Sequence, residues 1–175
     1  MALSEQIKKT INGIRSQFPT EQALLLPLLH EIQNEQGWVS LDSMRSAGEF
    51  LNLPLSKVRE VASFYTMYKL EPQGKVDLQI CTNISCWLNG AEKLVSCAER
   101  KLGIKSGETT ADGKFTLSQV ECLAACGTAP ALMINEDYHE NVTETDLLKL
   151  LDQTAAELSG GKTVGKSTRT EGVWP

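Results

Sequence analysis

Four cysteines in two close pairs are the residues of this chain best suited to chemistry. Cys81 and Cys86 lie in "CTNISC", and Cys122 and Cys126 lie in "VECLAACGTAP". A fifth, Cys97, stands apart. An odd number of cysteines in a chain without a secretion signal argues against a disulfide framework. Each pair follows an alternating run, "VDLQI" before Cys81 and "KFTLSQVE" before Cys122. Such runs read as strands. If the two strands are neighbours in one sheet, their ends bring both loops to one edge, and four thiolates face one place.

Three readings of four such thiols compete. Buried apolar thiols are common, because free cysteine is among the most buried residue types. That reading leaves the pairing at strand ends unexplained. Structural zinc takes four thiolates, but zinc ribbons and knuckles favour two intervening residues. The gaps here are C-x4-C and C-x3-C. A [2Fe–2S] cluster also takes four thiolates and accepts wider loops, so it is favoured.

The elements that must position these residues divide the chain in two. Residues 1–74 read as helical. Ile7, Ile11, Ile14 and Phe18 recur at helical spacing. Thr20 is a cap candidate, Gly37 a stop, and Pro27 is expected to kink the helix between them. Ser40 and Ser56 are cap candidates for two further helices, the second with Val58, Val61, Ala62 and Tyr65 on one face and extending through "FYTMYKL". Short helices in this number predict a compact bundle. "EPQGK" marks a boundary, after which the pattern changes period. Residues 75–158 read as strand, helix, strand, strand, strand, helix, with the first of these helices beginning near Trp87 and ending at Gly103. Its positive end is expected close to the cysteines. The expected class is α+β: an N-terminal helical bundle, then an α/β domain with a small mixed sheet. Residues 159–175 read as a flexible tail.

These segments resemble the thioredoxin-like [2Fe–2S] ferredoxin family, and within it the small peripheral subunits of NADH:quinone oxidoreductases (respiratory complex I). The resemblance rests on "CTNISC", on "VECLAACGTAP" followed by "MINEDYHENVT", and on "LLPLLHEIQNEQGWVS", "VASFYTMYKLEPQGK" and "KLGIKSGETTADGKFTL". It covers Leu24 to Asp152. It implies a thioredoxin-like fold for 75–158 and one [2Fe–2S] cluster with Cys81, Cys86, Cys122 and Cys126 as ligands. Cys97 matches no ligand position and reads as a buried structural thiol. Further implied are a partner subunit that binds NADH and a flavin (FMN), additional iron–sulfur subunits, and a location at the inner membrane through the complex. Equivalent subunits of NAD-linked hydrogenases and formate dehydrogenases are the nearest alternative. The family often has Gly where this chain has Ala124; if that position needs positive φ, alanine costs about 1 kcal/mol.

The expected chemistry is one-electron transfer, with catalysis in a partner. Reduction adds an electron to a centre that is already anionic, so burial and neighbouring Glu121 lower its potential, while backbone N–H groups aimed at sulfur raise it. His30, on a leucine-rich face, and His139, in a turn, read as structural or surface residues. A net charge of -5 argues against nucleic acid as partner, and the helix pair after Ser40 lacks a basic stripe. A thiol oxidoreductase would want C-x-x-C at the strand–helix junction. No apolar run approaches the roughly 20 residues of a membrane span, so direct membrane insertion is not expected, and the cytoplasm is the expected compartment. "GGKTVGKS" (Gly160–Ser167) fits a P-loop pattern but follows a helix instead of a strand, so no nucleotide site is expected there.

Overall fold

The computed structural model describes residues 3–160. "GGKTVGKS" beyond Gly160, and the rest of the segment to Pro175, lie outside the described residues. The chain divides into two compact units, one running to Pro72 and the other beginning at Gln73.

The first unit contains four helices: α1 (Glu5–Ile14), α2 (Leu25–Gln36), α3 (Leu41–Leu51) and α4 (Leu55–Phe64). Their apolar stripes close on one core. Ile7, Ile11, Leu28, Leu29, Ile32, Leu51 and Val58 are buried there. Each such side chain contributes roughly 1.5–3 kcal/mol by leaving water. Ser40 caps α3 as expected, its hydroxyl accepting from the Ser43 N–H at 3.1 Å.

Three local expectations need correction. Pro27 does not interrupt a long helix. A 3-10 turn over Glu21–Leu24, capped by Thr20, comes first, and α2 begins at Leu25. Pro27 therefore sits in the first turn, where its missing N–H would have had no helical partner. Ser56 is not a cap: α4 starts one residue earlier, behind extended Pro54. Nor does α4 continue through "FYTMYKL"; it stops at Phe64. Contacts to α2 and its end draw the following segment away. The Tyr68 hydroxyl donates to the Leu26 carbonyl at 2.9 Å, and the Lys69 N–H to Gln33 Oε1 at 2.6 Å.

The second unit is built on a sheet of β1 (Val76–Cys81), β2 (Phe115–Val120), β3 (Leu132–Ile134) and β4 (Asp137–His139), in the order β2-β1-β3-β4. β1 runs parallel to β2 and antiparallel to β3, and β3 runs antiparallel to β4. The sheet is thus small and mixed, and the chain is α+β, as expected. α5 (Ile84–Leu88), α6 (Ala91–Leu102) and α7 (Glu144–Ser159) complete it. Val76, Leu78 and Ile80 of β1 share a core with Leu94 and Ala98 of α6 and Leu147 and Leu151 of α7.

The helix expected from Trp87 is two helices. Cys86 lies inside the short α5, and the chain breaks at Asn89–Gly90 before α6. Gly90 has φ 93°, a region glycine enters without steric cost. The expected positive helix end next to Cys86 is therefore displaced to Ala91, beyond Gly90.

At α7, Thr143 and Asp146 form a capping box. Thr143 Oγ1 accepts from the Asp146 N–H at 3.2 Å, and Asp146 Oδ2 accepts from the Thr143 N–H at 3.2 Å. Hydrogen bonds from Thr143, hydroxyl first, hold the Asp146 carboxyl below its ordinary value. A lowered folded-state value means the interaction is at full strength above about pH 4 and fades as pH falls through the depressed value. Thr143→Ala is expected to cost about 1 kcal/mol in urea unfolding at neutral pH.

Candidate metal centre

β1 and β2 are parallel neighbours in register, with Cys81 opposite Val120. Both strands therefore end at the same edge. Cys81 is the last residue of β1, and Cys122 follows β2 after one intervening residue. The Thr82 N–H donates to the Val120 carbonyl at 3.0 Å, tying the two loops together. Asn83 then caps α5, its side-chain oxygen accepting from the Ile84 N–H at 2.9 Å. α5 turns Cys86 inward and leaves Ile84, Trp87 and Leu88 exposed. After Cys122 the chain makes a short 3-10 turn over Cys126–Thr128, which packs against α5.

The structure brings the two pairs together. All five cysteines are free thiols. The Cys81 thiol lies close enough to Cys86 and Cys122, and the Cys86 thiol close enough to Cys126, to influence each other's ionisation. Cys81 and Cys86 are buried, whereas Cys122 and Cys126 are exposed. Leu123, Ala91 and Ala131 pack around the inner pair. Cys97 is buried apart from them, in the core between the sheet and α6.

Backbone N–H groups surround the sulfurs. Burial opposes ionisation of Cys81, but N–H donors at Asn83 and Leu123 and the neighbouring thiols outweigh it and bring its thiol below the ordinary value. Burial raises the Cys86 thiol, and the nearby charges of Cys81 and Cys126 raise it further, against one N–H donor at Ala131. The Ala124 N–H lies 3.2 Å from Cys122 Sγ. Donors aimed at sulfur favour the thiolate form, the form that ligates metal.

Among the described residues, no group of three or more His, Cys, Asp or Glu side chains is placed to hold a metal ion. The contacts instead link the thiols pairwise, Cys81 to Cys86 and to Cys122. Two irons share four thiolates over a wider set of positions than one tetrahedral zinc does. The donor set fits a two-iron cluster: four cysteines, small neighbours and N–H groups directed at sulfur.

His30 packs edge-to-face against Tyr68, ring centroids 5.2 Å apart, and His139 ends β4. Sequence reasoning missed Leu123 and Ala131 as backbone donors. Ala131 carries no local signal; it arrives because its carbonyl accepts from the Cys81 N–H at 3.1 Å, just ahead of β3. Ala124 has φ 58°, so the position does require the left-handed region.

An NADH-quinone oxidoreductase subunit from Rickettsia prowazekii (strain Madrid E) is 41% identical over 152 residues, 83% of this chain and 86% of the relative. The corresponding subunit from Aquifex aeolicus (strain VF5) is 38% identical over 149 residues, 85% and 93% of the two chains. Among solved structures, an air-oxidised NAD+-reducing [NiFe]-hydrogenase shares the fold, with a TM-score of 0.68 at 19% identity over 77% of this chain. The match spans 23% of that longer chain. Residues 11–155 match the family described as thioredoxin-like [2Fe–2S] ferredoxin, and with both cysteine pairs inside that span, the chain belongs to this family.

Proposed function

We propose that the chain is an electron-transfer subunit holding one [2Fe–2S] cluster on Cys81, Cys86, Cys122 and Cys126. It works in the NADH-oxidising module of an NADH:quinone oxidoreductase and exchanges single electrons with a flavin in a partner subunit. Family membership implies the iron–sulfur cluster. The observation that carries the ligand assignment is the convergence of two cysteine pairs at the common end of parallel β1 and β2. The assignment to this complex is supported by relatives named for it that align over most of both chains.

When bound, such a cluster accepts and returns one electron at a time. The chain's own residues set the terms. Cys81 and Cys86 hold the inner side out of water, Leu123 and Ala131 wall it, and N–H groups at Asn83, Leu123, Ala124 and Ala131 offset negative charge on sulfur. Cys122 and Cys126 leave the outer side open. Exposed Ile84, Trp87 and Leu88 flank Cys86 on α5. An apolar ridge beside an electron-transfer centre suits docking against another subunit. NADH and FMN bind that partner, and further iron–sulfur subunits carry the electrons on. The cluster domain spans 75–158, with the helical region of 1–74 before it. Among the described residues no helix is long and apolar enough to cross a membrane, and membrane association comes through the complex.

The likeness to an NAD+-reducing hydrogenase favours a second reading, the same role in an NAD-linked hydrogenase. Co-purification separates the two: a quinone-reducing complex supports the first, and a hydrogen-dependent NAD+ reductase the second. Low-temperature EPR of the anaerobically purified chain tests the cluster itself. A rhombic spin-half signal appearing on dithionite reduction, with about two irons per chain, is expected. One zinc per chain and no iron would overturn the assignment in favour of a structural metal site.

A further inference from the structure

We propose that Ala124 is a positioning residue for the cluster: its left-handed backbone holds its N–H on Cys122 Sγ and so raises the cluster's reduction potential. The inference rests on the ligand assignment above. Among the described residues, four that are not glycine have positive φ: Asn52, Ala124, Asn135 and Asn141. Asparagine enters this region more readily than other non-glycine residues, because its short polar side chain is able to hydrogen-bond locally. Alanine has no such group. Its conformation must be held by the loop between Cys122 and Cys126.

What that conformation delivers is one hydrogen bond. The Ala124 amide nitrogen lies 3.2 Å from Cys122 Sγ, within the range of an N–H···S contact. Cys122 is exposed, unlike Cys81 and Cys86. The inner sulfurs receive N–H groups from Asn83, Leu123 and Ala131, on separate pieces of chain. On the outer side the donor lies two residues along the chain from the sulfur it serves. Reduction places added negative charge on the sulfurs, so a donor here stabilises the reduced state more than the oxidised one.

The test uses the full chain loaded with its cluster. Replacing the Ala124 amide by an ester, through incorporation of lactic acid, removes the N–H and keeps the methyl side chain. The expected result is unchanged iron content and an EPR-monitored midpoint shifted to more negative potential. At the wild-type midpoint, less than half of the ester protein is then reduced. Ala124→Gly keeps the N–H and enters the left-handed region freely, so it is expected to retain the wild-type midpoint. Cys122→Ser separates this inference from the one beneath it. If Cys122→Ser alters the EPR spectrum while the ester protein titrates as wild type, Ala124 has no such role and the ligand assignment stands. If Cys122→Ser leaves spectrum and iron content untouched, the ligand assignment itself fails.

Should the ester protein not take up a cluster, pulsed EPR of the reduced wild type decides. Protein labelled with 15N-alanine is expected to show peptide-nitrogen couplings of which one, that of Ala124, is lost in Ala124→Gly labelled the same way while that of Ala131 persists. Identical spectra from the two proteins would overturn the proposal.

Discussion

Replacing Cys81, Cys86, Cys122 or Cys126 with alanine, one at a time, is expected to take iron from about two per chain to near zero and to abolish the EPR signal. Cys97→Ala is expected to leave both intact. The contrast follows from placement. The four proposed ligands stand at the shared end of β1 and β2 and on the two elements that follow, Cys81 close to Cys86 and Cys122, and Cys86 close to Cys126. Removing one leaves an iron short of a thiolate, and water or chelators then compete for it. At Cys86 the change is harsher still. The site is buried, so the lost thiolate also leaves the Ala131 N–H without its acceptor in an apolar pocket, and an unmade buried hydrogen bond costs roughly 1–3 kcal/mol. Cys97 faces the core between sheet and helix and touches none of this. Its loss removes a small buried side chain, which affects stability and not iron. Iron assay, visible absorption and EPR on the five variants read the outcome. A Cys97→Ala protein without iron, or a ligand variant with a wild-type spectrum, would sink the assignment.

The site was legible in the sequence to the extent that it obeys strand geometry. Two alternating runs each delivered a cysteine at or just past their end, and only parallel neighbours put both ends on one edge; β1 and β2 are such neighbours. The cap at Ser40 was equally readable, because a hydroxyl before an amphipathic run has a local partner. Where the reading failed, a competing local rule decided. Gly90 broke one apparent helix into α5 and α6, and this moved Cys86 from the rim of a helix to its interior. Pro27 looked like a breaker but opened α2, because helix starts tolerate a missing N–H. The backbone donor at Ala131 was illegible for a different reason. It depends on the β1–β3 pairing and not on side-chain identity, so no residue type advertises it.

Leu78→Ala is expected to destabilise the second unit by roughly 2–5 kcal/mol while leaving the cluster in place at low temperature. Leu78 is fully buried on β1, an interior strand of the sheet. Its register partners are Leu117 on β2 and Ile134 on β3, both buried. It belongs to the core formed with α6 and α7, whereas Cys81 and Cys86 belong to a separate small cluster at the strand ends. Truncation leaves a void that strands held by ladder hydrogen bonds on both sides cannot collapse, which places the cost toward the upper part of that range. For a unit of about 100 residues, a loss of roughly 3 kcal/mol lowers Tm by something on the order of 10–20 °C. The readouts are thermal unfolding by circular dichroism and EPR of the reduced protein at the same composition. The Cys→Ala variants should behave in the opposite manner, losing iron first and stability as a consequence, since a group that binds only the folded chain stabilises it. If Leu78→Ala shed its cluster while the sheet remained folded, the sulfurs would have to depend on the central core. Order in the ligand loops would then come from β1 as a whole and not from the hydrogen bonds at its end.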